Sequence, residues 1–177
     1  MAEEPSATRW HRVLILFGSN LDPEKNSARA GAALARRLRD PRFSSAYQSS
    51  AAGCRQAPPF TNWAAVGLTS LGPYEFKFDV LRPIEADLGR VRCADVNAPR
   101  TADLDMLAYD DLSLDDRNAG LHLPDPDLMN AAYALVPSAE LLPDWIPPGC
   151  RTTLAESVAQ EGLHSDIKTL GEVITAG

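Results

Sequence analysis

The run A-D-L-D-M-L-A-Y at residues 102–109 sets Asp103 and Asp105 two positions apart. In an extended strand that spacing points both carboxylates to one face and leaves Ala102, Leu104, Met106 and Ala108 for a core. Two like charges held side by side repel, so one resists ionising unless something positive lies between them. A nearby arginine, bulk water or a divalent metal ion would each answer that need. Mg²⁺ prefers oxygen donors, and it commonly takes one or two carboxylates and fills its remaining positions with substrate phosphates and water. Arg90, Arg92 and Arg100 lie just upstream in an otherwise acidic chain, and the planar fork of arginine grips phosphate oxygens two at a time. Metal ions on phosphates, with arginines on the charge that develops, form the recurring kit of phosphoryl transfer. The competing reading is that the arginines pair with the aspartates themselves and pin a surface loop.

The flanking sequence must build elements that hold these side chains. RVLILFGSN (12–20) is a short apolar run ending in Gly-Ser-Asn, the pattern of a buried strand running into a turn. Asp22-Pro23 supplies an N-cap and an N1 proline for a helix reaching about Arg39, with Ala33, Leu34 and Leu38 on its apolar side. FSSAYQSS (43–50) and FTNWAAVGLTS (60–70) read as strands, and the AAGCRQAPP between them is too long for a tight hairpin turn. Pro73 opens a second helix carrying Phe76, Val80, Ile84 and Leu88 and ending at Gly89; Pro83 is expected to kink or split it. The basic connection 89–100 then leads to the strand with the two aspartates, and its 90–98 portion suits a lid. The order β-α-β-β-α-β predicts an α+β fold, the ferredoxin-like split βαβ, with two helices on one face of an antiparallel sheet. An added C-terminal hairpin and helical segment follows, with a short helix near 127–135 and an amphipathic TLAESVAQ. The expected organisation is a flexible N-terminus (1–11), one domain (12–160) and a loosely ordered tail (161–177).

Bulk properties exclude several classes. With 177 residues, 45% of them hydrophobic, the chain has the size of one ordinary domain. A net charge of −7 and a pI near 4.9 argue against non-specific binding to nucleic acid or an anionic membrane. No segment has the roughly 18 to 20 uninterrupted apolar residues of a membrane span. The opening MAEEPSATRW lacks the basic and apolar parts of a signal peptide. Cys54, Cys93 and Cys150 share no CxxC spacing, which suggests free thiols in a reducing cytoplasm. His11, His122 and His164 stand without ligand-spaced partners and read as surface or capped residues.

Five motifs in order add a resemblance. GSNL (18–21), F-x-N (60–62), IE-x-x-LGR-x-R (84–92), PRT-x-DLD (99–105) and LP-x-P-x-(hydrophobic) (123–128) are similar to those of the hydroxymethyl-dihydropterin pyrophosphokinase family, over about Val13 to Trp145. That family is ferredoxin-like and transfers pyrophosphate from ATP to a pterin alcohol in folate biosynthesis. The resemblance implies that Asp103 and Asp105 hold two Mg²⁺ ions on the ATP phosphates. It implies that Arg90 and Arg100 engage the transferring group, with Glu85, Arg92 and Asp125 on the nucleotide side. Phe60 and Tyr133 would sandwich the pterin ring, and Asn62 would read its polar edge. Three positions depart from the family pattern: Asn97 replaces a Trp, Asp125 the His of a PHP motif, and Ala131 an Arg. The expected partners are therefore ATP and a pterin alcohol, with no nucleic acid or membrane, in a monomer or homodimer. The departures also support a second reading, a catalytically impaired homologue serving as a pterin- or nucleotide-binding module. A third is a pyrophosphokinase with a shifted alcohol substrate.

Overall fold

The computed structural model of the chain describes residues 8–50, 58–91, 100–161 and 167–173. Arg92, Asn97 and most of the expected lid lie outside these residues. Strand β1 (His11–Ser19) is central, and its run VLILF is buried throughout because both faces of the sheet are covered. It pairs antiparallel with β4 (Phe60–Thr69) on one side and β5 (Asp103–Tyr109) on the other. The strands run in the order β5-β1-β4-β3-β8, with β2 (Arg39–Phe43) also on β4; β3 is Ser45–Ser49 and β8 is Ile167–Glu172.

One face packs on α1 (Pro23–Ala35) and on the helical stretch 73–87, burying Val13, Ile15, Phe17, Trp63, Leu34, Phe76 and Ile84 together. Phe17 stacks on Trp63 at 4.7 Å between ring centroids, and the Trp63 indole N–H donates to Ser27 at 2.7 Å. The expected pair of helices on one face is present. The second face is covered too, by α5 (Ala132–Leu141) and α6 (Leu154–Glu161), through Leu14, Leu16, Leu107, Leu135 and Leu154. A short hairpin, β6 (Leu114–Asp116) and β7 (Leu121–Leu123), and a single turn, α4 (Asp127–Asn130), lead from β5 to α5.

Local details differ from the sequence pattern for physical reasons. Helix α1 ends at Ala35, short of Arg39, and Asp22 makes no side-chain cap; its carbonyl accepts from Asn26 N–H at 3.0 Å instead. The expected strand 43–50 is two strands broken at Ser44. There the Ala64 N–H finds the Ser44 hydroxyl oxygen at 2.9 Å, while the Ser44 N–H still reaches the Ala64 carbonyl at 2.9 Å. On β5, Ile15 faces Met106 but Leu14 faces Ala108, so Leu107 is an inserted bulge residue. The bulge turns Ala108 to the α5 face, away from Leu104 and Met106, correcting the alternation read from the sequence. Pro83 does not split its helix. The chain runs from α2 (Pro73–Glu75) through a π turn (Phe76–Leu81) into α3 (Arg82–Asp87), the wider turn falling just ahead of the residue that lacks an N–H. The loosely ordered tail is corrected over Ile167–Glu172, which pairs antiparallel with β3.

The break at Ser44 generates a stability prediction. Ser44 is 2% exposed, so Ser44→Ala leaves the buried Ala64 N–H without its side-chain acceptor. A cost of about 1–3 kcal/mol is expected in urea unfolding, as for a buried donor left unsatisfied.

Candidate active site

The candidate site lies where β5 starts and β1 ends. Asp103 faces Gly18 and Asp105 faces Leu16 on β1, and these in turn face Asn62 and Ala64 on β4. Facing residues of antiparallel strands share a side, so both aspartates, Phe60 and Asn62 project to the α5 face. A Cβ on Gly18 would sit 3.2 Å from Asn62 Oδ1, so the glycine keeps this floor low. Asn62 is 4% exposed and donates to Ser49 at 2.8 Å. Tyr133, on the first turn of α5, packs at the margin of the same face, and its hydroxyl donates to Asp127 at 2.6 Å. Burial first, and then that bond, hold the phenol above its ordinary range.

The motif at 18–21 anchors Arg100. Asn20 and Leu21 N–H donate to the Arg100 carbonyl at 3.1 and 3.2 Å, and the Arg100 N–H donates to Asn20 Oδ1 at 2.7 Å. Ser19 Oγ adds a bond to the Thr101 carbonyl at 2.7 Å. With the backbone around it held by these four hydrogen bonds between two motifs, the Arg100 guanidinium reaches Asp103 Oδ2. Arg90 Nη1 takes the other oxygen of Asp103 at 2.7 Å and donates to the Ala102 carbonyl at 2.8 Å. Glu85, 3% exposed, accepts the Leu104 N–H at 3.0 Å and lies 3.9 Å from Arg90. In this arrangement the arginines do pair with one aspartate, as the competing reading held, and they do so inside a cleft.

That cleft, about 320 Å³, is lined by Glu85, Arg90, Arg100, Asp103 and Asp105, together with Lys77 and Arg82. Asp105 stays open to solvent, yet surrounding protein is the largest cause of its carboxyl being pushed up to about 7. Repulsion from Asp103, then Asp125 and Glu85, adds to this, and Lys77 opposes it. Asp125 lies close enough to contribute. Its N–H donates to the Leu107 carbonyl at 2.8 Å, and its carboxylate accepts the Asp127 N–H at 2.9 Å. Burial is again the first cause of its raised pKa.

The donor set fits a hard divalent ion. Two carboxylates share one face, and one of them is under-compensated in charge. Among the described residues no group of three or more His, Cys, Asp or Glu side chains could hold a metal alone. An ion here would therefore take further oxygen ligands from a substrate.

The structure gathers Glu85, Arg90, Arg100, Asp103 and Asp105 at the cleft, puts Asp125 beside them, and sets Phe60, Asn62 and Tyr133 on the adjoining sheet face. The sequence reading missed Lys77 and Arg82. Arg82 precedes Glu85 by three residues, about one helical turn on the same side, whereas Lys77 gave no such signal because the π turn sets its side.

Similarity to known proteins follows the same lines, first in fold and then in family. A Plasmodium falciparum HPPK-DHPS crystal structure with pteroate superposes with a TM-score of 0.69 at 9% identity, over 93% of this chain and 47% of that one. This chain thus spans about half of that two-part protein, and the likeness establishes the α+β fold. A family model for 7,8-dihydro-6-hydroxymethylpterin-pyrophosphokinase matches residues 14–143. The chain belongs to this family. The 2-amino-4-hydroxy-6-hydroxymethyldihydropteridine pyrophosphokinase of Synechocystis sp. is 34% identical over 153 residues, 85% of this chain and 76% of that protein. The Haemophilus influenzae protein of the same name is 31% identical over 157 residues, covering 87% and 95% respectively.

The crowding of carboxylates predicts a pH-dependent stability. A carboxyl raised from about 3.9 in the unfolded chain to about 7 in the fold binds more protons when folded. Its contribution therefore falls as pH rises between those values and is lowest above 7. Asp105→Asn should raise the melting temperature at pH 8, and the difference from the parent should shrink towards pH 4. Thermal unfolding across that range checks it.

Proposed function

We propose that the protein transfers pyrophosphate from ATP to the hydroxyl of 6-hydroxymethyl-7,8-dihydropterin, with Mg²⁺ as cofactor. The observation that carries this reading is the convergence of Arg90 and Arg100 on Asp103, beside an under-compensated Asp105, in one cleft. Such a cluster is neutral enough to fold and becomes a phosphate site when its cations are redirected.

The pterin would stack between Phe60 and Tyr133, with Asn62 reading its edge, so that its hydroxymethyl group points along the sheet towards Asp103 and Asp105. Asp103 and Asp105 would hold Mg²⁺, which when bound screens the triphosphate charge and orients it. The alcohol oxygen attacks the β-phosphorus and gives up its proton to solvent, the bond from the β-phosphorus to the bridging α-phosphate oxygen breaks, and AMP leaves. Arg90 and Arg100 exchange Asp103 for the transferring phosphates, where charge accumulates in the transition state. Glu85 keeps Arg90 aimed by holding the Leu104 N–H beneath it. Positioning carries most of the rate, with little need for a strong protein base. A cytoplasmic location would suit both substrates.

A second reading is a binding module with little turnover. Asp125 favours it, because a carboxylate there adds repulsion where a triphosphate would lie.

Incubation with ATP, Mg²⁺ and the pterin alcohol should yield AMP and the pterin diphosphate; binding of both substrates without AMP would select the binding module. Asp103→Ala and Asp105→Ala should each abolish Mg²⁺-dependent ATP binding, measured by calorimetry. Unchanged affinity in the double variant would make the pair a solvated surface feature. Tyr133→Ala should weaken pterin binding by about tenfold, in line with 0.5–1.5 kcal/mol for a lost aromatic pair plus lost area, and should leave ATP affinity unchanged.

A further inference from the structure

We propose that Lys77 is a phosphate-binding residue of the cleft, supplying a cation from its helical wall. The proposal rests on the reading of the cleft as an ATP site.

Three observations carry it. Lys77 lines the cleft together with Arg90, Arg100, Asp103 and Asp105, and it is half-buried there rather than solvated on a helix surface. Its position comes from the π turn. The Arg82 N–H bonds the Lys77 carbonyl, five residues back, so the two residues fall on the same side of the helix, which ordinary α-helical winding would not do. Both then face the cleft. Finally, the Lys77 ammonium donates to the carbonyl of Gly120, a residue at φ +61° around whose Cβ direction no heavy atom lies within 4 Å. The turn after β6 thus ties the ammonium to the rim of the cleft, which Ala119 and Gly120 also line.

The charge balance gives this placement a purpose. Arg90 and Arg100 both bear on Asp103, and the Arg82 guanidinium lies over the Phe78 ring at 4.3 Å. Asp105 and Asp125 remain, and both feel the Lys77 charge. A lysine ammonium is a compact point charge with three donors on a flexible stem, so a phosphate oxygen can be added to the bonds it makes. It therefore offsets the repulsion that Asp125 introduces, and it grips the phosphate chain from a wall that the two arginines do not occupy. The segment after β7 brings no cation at 125 or 131, and Lys77 stands in the cleft that Asp105 lines.

The test compares the full-length protein with Lys77→Met and Lys77→Arg, titrating each with Mg·ATP, AMP and the pterin alcohol. Lys77→Met should bind Mg·ATP about tenfold or more weakly, the loss of one charged hydrogen bond. Its affinity for AMP and for the pterin should stay within about threefold, and Lys77→Arg should recover most of the ATP affinity. Equal Mg·ATP affinity in Lys77→Met and the parent would overturn the proposal and leave the proposed function standing. A matching loss for AMP or pterin would overturn it too, since the effect would then be general. If the parent protein itself binds no Mg·ATP, the ATP reading of the cleft falls and the proposal with it. Should Lys77→Met not fold, Lys77→Gln gives the same contrast.

Discussion

An edge strand must satisfy the backbone groups on its open side, and on β5 that requirement organises the whole site. The strand has β1 on one side only, so its outward N–H and C=O groups need other partners. Glu85 takes the Leu104 N–H, Arg90 takes the Ala102 carbonyl, and the Asp125 N–H takes the Leu107 carbonyl. Three residues, from the helical stretch, the connection just after it and the segment after β7, are drawn over one edge by hydrogen bonds. The chemistry is assembled from the same residues. Fold stability and site geometry are thus coupled at Glu85, whose buried carboxylate both closes the edge and aims Arg90.

Asp103 is the second point of coupling. Two arginines on one carboxylate hold this end of the cleft together. Arg100 is the more constrained, because Ser19 and Asn20 fix the backbone around it. This explains why two motifs some eighty residues apart in sequence belong together: the first holds the second in place.

Much of this was legible in the sequence because the relevant signals were local. The strand period put Asp103 and Asp105 on one face, and the apolar run of β1 marked a strand buried on both sides. The order of elements gave the α+β fold. What escaped depended on contacts between distant segments. The bulge at Leu107, which reverses Ala108, comes from pairing with β1 and leaves no mark in β5 itself. The π turn needed Pro83 to be read as a cause of widening rather than of breakage, and Lys77 reached the cleft only through that widening. The covering of the second face was not legible because AYALVPSAEL and TLAESVAQ read as helical segments without showing which surface they pack on. The roles of Arg92 and Asn97 fall on residues outside those described.

The far side of the sheet shows how the molecule manages its other edge. Without β8, β3 would offer a row of backbone donors and acceptors to any neighbouring chain. Strand β8 takes that row up, and it moves the exposed edge out to a segment bearing Lys168 and Glu172 and bent at Gly171, which sits at φ +108°. Charged side chains and a kink make a poor template for a further strand. A short, mostly solvent-facing segment that adds nothing to the cleft thus makes the exposed edge of the sheet a poor template for aggregation.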